Sequence, residues 1–119
     1  MASKATPSAY RRVKHQHADY MKAVEALGAA VRGAGPLKES VAQLVQLAAA
    51  AAIRSEGAVH SHVRRALQAG VTADEIHHAL ILVTSTIGFP NVRAALAWAD
   101  DVINGTPARH KPSRPAAAV

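Results

Sequence analysis

From Ser8 onward, Tyr10, Val13, His17, Tyr20, Val24, Leu27 and Val31 recur at alternating steps of three and four residues. That spacing draws one stripe along an amphipathic helix. Gly33-Ala-Gly-Pro36 ends it, because two glycines and a proline do not continue a helix. A second helix is predicted over Lys38–Ile53, with Val41, Leu44, Val45 and Ala48 on its inner face and alanines in its last turns. A third is predicted over Ser55–Ala69. Ser55, Ala58, His62 and Ala66 share one side of it, and Glu56, His60 and Arg64 share another. Gly70 supplies the left-handed stop. Thr72-x-x-Glu75 then reads as a capping box that restarts the chain as a fourth helix, with Ile76, Leu80, Val83 and Ile87 inward as far as Gly88-Phe-Pro90. Asn91 is expected to cap a fifth helix that turns Val92, Ala95, Ala99 and Val102 inward and closes at Gly105. No alternating strand pattern of useful length interrupts this series. The reading is an all-α bundle of about five helices over residues 8–105. Residues 1–7 are expected to be a flexible start, and Thr106–Val119, with its prolines, a disordered basic tail.

Composition refines that picture. At 119 residues the chain fits one domain, and with aromatic residues at 3% its core must be built from Ala, Val, Leu and Ile. Small side chains let helices approach closely but remove little apolar area per residue, so burial against further copies is expected and a homo-oligomer is predicted. The net charge of +6 is concentrated at the ends: residues 1–22 carry +4 and 108–119 carry +3, while 23–107 sum to −1. A folded body without a basic face argues against nucleic acid as a partner. The absence of cysteine excludes disulfides, thiolate nucleophiles and thiolate metal sites. The longest apolar run, Leu47–Ile53, is too short to span a bilayer, and the N-terminus has no apolar leader, so a soluble cytoplasmic protein without membrane contact is expected.

Among candidate chemical groups, His62 stands first, because an imidazole exchanges protons near neutral pH. Ser55, seven residues earlier on the same side, has a hydroxyl to offer a substrate carboxylate, or a nucleophile if a base is placed beside it. Arg65, next to the His62 stripe, suits a carboxylate. Glu56 and His60 are one turn apart, a spacing that lets two side chains share a metal ion; His62, or His77 or His78 from the next helix or another subunit, would complete such a set. His60 and His62 lie about 200° apart around the helix and cannot chelate one ion within a subunit. His77 and His78 themselves read as solvated or interfacial.

Taken in order, the small-residue helix up to Ile53, the segment His62-Val-Arg-Arg-Ala-Leu-Gln-Ala-Gly70, the Thr72 cap, and Gly88-Phe-Pro90 followed by Ala94-Ala95-Leu96 resemble the carboxymuconolactone decarboxylase / alkylhydroperoxidase D-like family over about residues 18–104. The resemblance implies an all-helical subunit, assembled as a trimer or hexamer, with the histidine-bearing helix near a subunit contact. It also implies one of two chemistries. Peroxidase members use a Cys-x-x-Cys-x-x-x-His helix and a relay glutamate on the preceding helix. Here His62 matches the histidine, but Ser55 and Ala58 stand at the cysteine positions and Gln43 at the glutamate position. The dithiol route is therefore closed. The decarboxylase branch, resembled most by Gly88-Phe-Pro90, implies acid/base chemistry on a small lactone or organic acid. In that reading His62 and Ser55 are the expected catalytic groups, and Arg65 and Gln43 the substrate contacts, with no cofactor. The alternatives are a non-catalytic oligomeric binding or scaffold protein of the same fold, or a metal-binding module built on Glu56 and His60.

Overall fold

The computed structural model describes residues 8–105, so the expectations for the start and the tail lie outside the described residues. The described residues form seven helices and no strands: α1 Ser8–Gln16, α2 Ala18–Arg32, α3 Glu39–Ala52, α4 Glu56–Gln68, α5 Ala73–Leu82, α6 Thr84–Ile87 and α7 Phe89–Ile103. The class is the all-α one expected. Two of the five expected helices are each split in two, at His17 and at Val83. No helix among the described residues is long and apolar enough to cross a membrane. The chain divides into two compact units, one ending at Lys38 and the other beginning at Glu39.

In the first unit the break falls at His17, whose backbone leaves the helical region (φ −133°, ψ 61°) and whose side chain caps nothing. The heptad-like stripe does not predict this break, since neither glycine nor proline is present there. What accompanies it is a tertiary tie. Glu25 on α2 accepts a hydrogen bond from the Tyr10 hydroxyl on α1 and lies 3.2 Å from the Lys14 ammonium. The hydrogen bond and charge of Glu25 hold the Lys14 ammonium above its ordinary pKa. Both groups are exposed to solvent, whose screening leaves the pair little weight. Tyr20, Val24, Leu27 and Val31 remain exposed along α2, and Met21 is its buried residue.

The second unit is organised around α4, which packs most extensively against α3 and α7 and also touches α5. The core joins Leu47, Ala50 and Ala51 of α3, Val59, Val63 and Ala66 of α4, Val71, Ile76 and Leu80, and Ala95 and Ala99 of α7. The buried stripe of α3 differs from the expected one. Val41 and Val45 are exposed and Leu44 and Ala48 half-buried, whereas Gln43, Leu47, Ala50 and Ala51 are buried. A helix apolar on nearly every side carries no unique stripe, and its rotation is set by what it packs against.

Both connections flanking α4 are built the same way. At the end of α3, Ser55 N–H donates to the Ala50 carbonyl and Arg54 N–H to that of Ala51. At the end of α4, Val71 N–H donates to Ala66 and Gly70 N–H to Leu67. These paired 6→1 and 5→2 bonds define Schellman motifs, which need a left-handed residue after the helix. Gly70 takes φ +90°, while the first motif uses Arg54 at φ 55°. A Cβ built on Gly70 meets nothing within 4 Å, so a side chain there is opposed by backbone conformation alone. Gly70→Ala is therefore expected to destabilise the unit by about 1 kcal/mol, read as a lower denaturant midpoint with an unchanged slope; an unaltered midpoint would contradict it.

The Thr72 capping box forms as expected: Glu75 N–H donates to Thr72 Oγ1 (3.1 Å), and Thr72 N–H to the Glu75 carboxylate (2.9 Å). Asn91 is not a cap. Gly88 (φ +91°) occupies that place and Pro90 lies in the first turn of α7, where its missing N–H costs no helical bond. Asn91 sits within that turn, donating from Nδ2 to the Ile87 carbonyl and accepting from Arg54 at Oδ1. The inward face of α7 is the expected one, with Val92, Ala95 and Ala99 buried and Val102 half-buried.

Candidate functional site

The centre of the second unit holds one buried polar side chain among the described residues, Gln43 on α3, with no exposed surface. An unpaired buried amide costs about 1–3 kcal/mol, and here both of its ends are engaged. Its Nε2 donates to the Glu39 carboxylate, one turn earlier, at 2.7 Å. Its Oε1 lies 2.8 Å from Nδ1 of His62, which α4 presents toward α3. The rotation of α3 that buries Gln43 is what brings this amide onto the imidazole.

The chain of three groups also fixes a tautomer. An ionised carboxylate only accepts, so Gln43 must turn its NH2 toward Glu39 and its carbonyl oxygen toward His62. That oxygen in turn needs a donor, and Nδ1 of His62 carries the hydrogen. In the neutral ring the lone pair then falls on Nε2. An amide orients the ring without itself accepting a proton, unlike the carboxylate that would stand there as glutamate. Gln43, expected as a substrate contact, is buried and engaged by Glu39 and His62 at its two ends. Glu39 was missed by sequence reading; the signal for it was its place one turn before Gln43.

Ser55, expected beside His62 as a catalytic group, is the N-cap of α4: its Oγ accepts from Ala58 N–H at 3.3 Å. Such a cap stabilises a helix by about 1 kcal/mol. Arg65 lies one turn beyond His62 on α4 and is exposed. Arg64, half-buried, is the arginine whose pKa is lowered, first by burial and then by the like charge of Arg65.

The opposite side of α4 carries a second constellation. His60 Nε2 lies 3.0 Å from Asp101 Oδ2 of α7 and 3.9 Å from Glu56 Oε2. The residue that joins Glu56 and His60 within the chain is Asp101. His62 is on the other side, His77 is paired with Asp100 at 2.7 Å, and His78 is exposed. A sequence signal for the two aspartates did exist. They fall near the C-terminal end of α7, which has no basic residue in its last turn. Negative charge at that end opposes the helix dipole and calls for a cationic neighbour from elsewhere. Trp98 packs, partly buried, on the core, whereas Phe89 is exposed.

No curated protein and no solved structure matches this chain. The family model for the carboxymuconolactone decarboxylase family matches residues 18–101. That span takes in α2, the Gln43 helix, the His62 helix with its Gly70 stop, and nearly all of α7. The chain belongs to the carboxymuconolactone decarboxylase family.

Proposed function

We propose that the chain is an acid/base catalyst acting on a small carboxylated lactone or organic acid, with His62 as the proton-exchanging group. The observation that carries this reading is the Glu39–Gln43–His62 chain, which places the neutral-ring lone pair of His62 on Nε2. A ring held in one tautomer by a buried partner is pre-organised for proton transfer at its other nitrogen. In a decarboxylation the substrate carboxylate leaves as CO2, and its bonding electron pair passes to the substrate carbon, delocalised into the lactone carbonyl. His62, having taken a proton from solvent at Nε2, delivers it to that carbon, so one carboxylate and one proton become one C–H bond and CO2, and the ring returns to its neutral form. Exposed Arg65 is suited to hold a second carboxylate of the substrate by a paired, charge-assisted contact. The sequence has no cysteine, so a dithiol peroxidase reaction is not part of this reading.

The same reading includes self-association. Its support is the run of exposed apolar side chains Tyr20, Val24, Leu27 and Val31 on α2, with Ile81, Leu82 and Phe89 exposed in the second unit. Light scattering of the purified chain is expected to give a mass several times that of one chain, and a monomer would remove that element.

The test of the chemistry is incubation of the purified chain in D2O with dicarboxylic γ-lactones of the muconolactone type. The expected result is CO2 release with deuterium incorporated at the carbon that loses the carboxylate. If neither appears with any such lactone, the proposal fails and the non-catalytic binding protein of the same fold takes its place.

A further inference from the structure

We infer that Glu56, His60 and Asp101 bind one divalent transition-metal cation of the zinc class, on the side of α4 turned away from His62. The donor atoms are already gathered: Nε2 of His60, a Glu56 oxygen and an Asp101 oxygen all lie within 4.8 Å of one another. Metal–ligand bonds of about 2.0–2.2 Å place neighbouring donors in a tetrahedral site roughly 3.3–3.5 Å apart. The separations of 3.0 Å and 3.9 Å from His60 to the two carboxylates bracket that spacing. The Glu56 and Asp101 oxygens also lie within 4.8 Å of each other, so side-chain movement alone would bring the three donors to that spacing.

Charge and chemistry favour an ion over a simple ion pair. A single Nε2–H is within hydrogen-bond distance of the Asp101 carboxylate, at 3.0 Å. Glu56, at 3.9 Å, is beyond such a bond, yet it holds a second negative group close to the first. Two carboxylates beside one imidazole repel each other, and an added charge of +2 neutralises them. Asp101 also stands near the negative end of α7, with no basic residue in the last turn. The His77–Asp100 pair nearby has only one carboxylate and one imidazole, and it belongs to no such cluster among the described residues.

The donor set, one imidazole nitrogen and two carboxylate oxygens, suits zinc, cobalt or manganese, whereas an all-oxygen set would suit calcium or magnesium. His60 and Asp101 are 14% and 23% exposed and are held by packing. Glu56 is half-exposed, leaving the remaining coordination positions to water. Because α4 and α7 each supply ligands, the ion would fasten the end of α7 to α4. It would lie about 200° around α4 from His62, so this inference stands apart from the acid/base reading.

The test is calorimetric titration of zinc chloride into full-length protein prepared without a histidine tag and stripped with EDTA, with cobalt absorption in the visible range as a second readout. The expected result is one ion per chain and a higher melting temperature with zinc. The affinity should fall about tenfold or more in His60→Gln and in Asp101→Asn, and remain unchanged in His77→Gln. Glu56→Gln, at a half-exposed position that does not contribute to the core, should weaken binding without lowering the melting temperature of the metal-free protein. No stoichiometric zinc binding by the unaltered chain would overturn the inference. So would undiminished affinity in Glu56→Gln together with His60→Gln, because the ion would then sit on other histidines.

Discussion

Leu47→Ala is expected to destabilise the second unit by about 2–5 kcal/mol, out of a total of roughly 5–15 kcal/mol for a domain of this kind. The reason lies in the composition of the core. Ala50, Ala51, Ala66, Ala95 and Ala99 occupy much of it, and Leu47, Ile76 and Leu80 are its largest fully buried side chains. Leu47 has no exposed surface and belongs to the cluster joining α3, α4 and α7. Alanines set the helix spacing and have nothing to move into a void, so the cavity left by Leu47 would close poorly, which pushes the cost toward the upper part of the range. Denaturant unfolding followed by circular dichroism measures the effect. A loss below about 1 kcal/mol would mean that the three helices relax around the gap and that the packing described here is not what holds them. Val45→Ala, at an exposed position on the same helix, is the contrasting control and should change stability little.

His62→Asn should lower turnover by about 10²–10⁴-fold, the usual contribution of a positioned general acid/base, while keeping most of the stability. Asparagine is the informative replacement because its amide nitrogen falls near the place of Nδ1. It therefore still donates to Gln43 Oε1 and leaves no buried acceptor orphaned. The Nε2 position proposed to carry the proton disappears. His62→Ala removes both, and should add a stability loss of about 1–3 kcal/mol from the unpaired buried amide of Gln43. The comparison separates the two jobs of one ring. Decarboxylation or deuterium exchange by His62→Asn at the wild-type rate would eliminate His62 as the proton carrier, whatever happened to the alanine variant.

The places where sequence reading succeeded share a physical property. The Thr72–Glu75 cap and the Gly70 stop each depend on contacts within a few residues of the chain, and each is found in the structure. Family membership was legible for a related reason: His62, Gly70, the cap and Gly88-Phe-Pro90 are separate local signals in a fixed order. Reading failed where a local pattern admitted several solutions. The stripe through His17 is continuous in sequence, yet the chain breaks there and Glu25 joins α1 to α2. Asparagine favours caps, so the sequence points to Asn91 at the start of α7, whereas Gly88 takes the place and Asn91 bonds to Ile87 and Arg54.

The candidate site divides in the same way. The sequence by itself determined an all-helical chain without thiol chemistry, with His60 and His62 on different sides of one helix, since helical geometry and the absence of cysteine require both. Only the tertiary structure decided which partner each ring receives. The alanine-rich α3 has no preferred face of its own, and its packed orientation buries Gln43 and brings it to His62. Asp101 is far from His60 along the chain and meets it because α7 lies against α4. Local hydrogen bonds and side-chain spacing are written into neighbouring residues, but the rotation of one helix against another is settled by the summed packing of both.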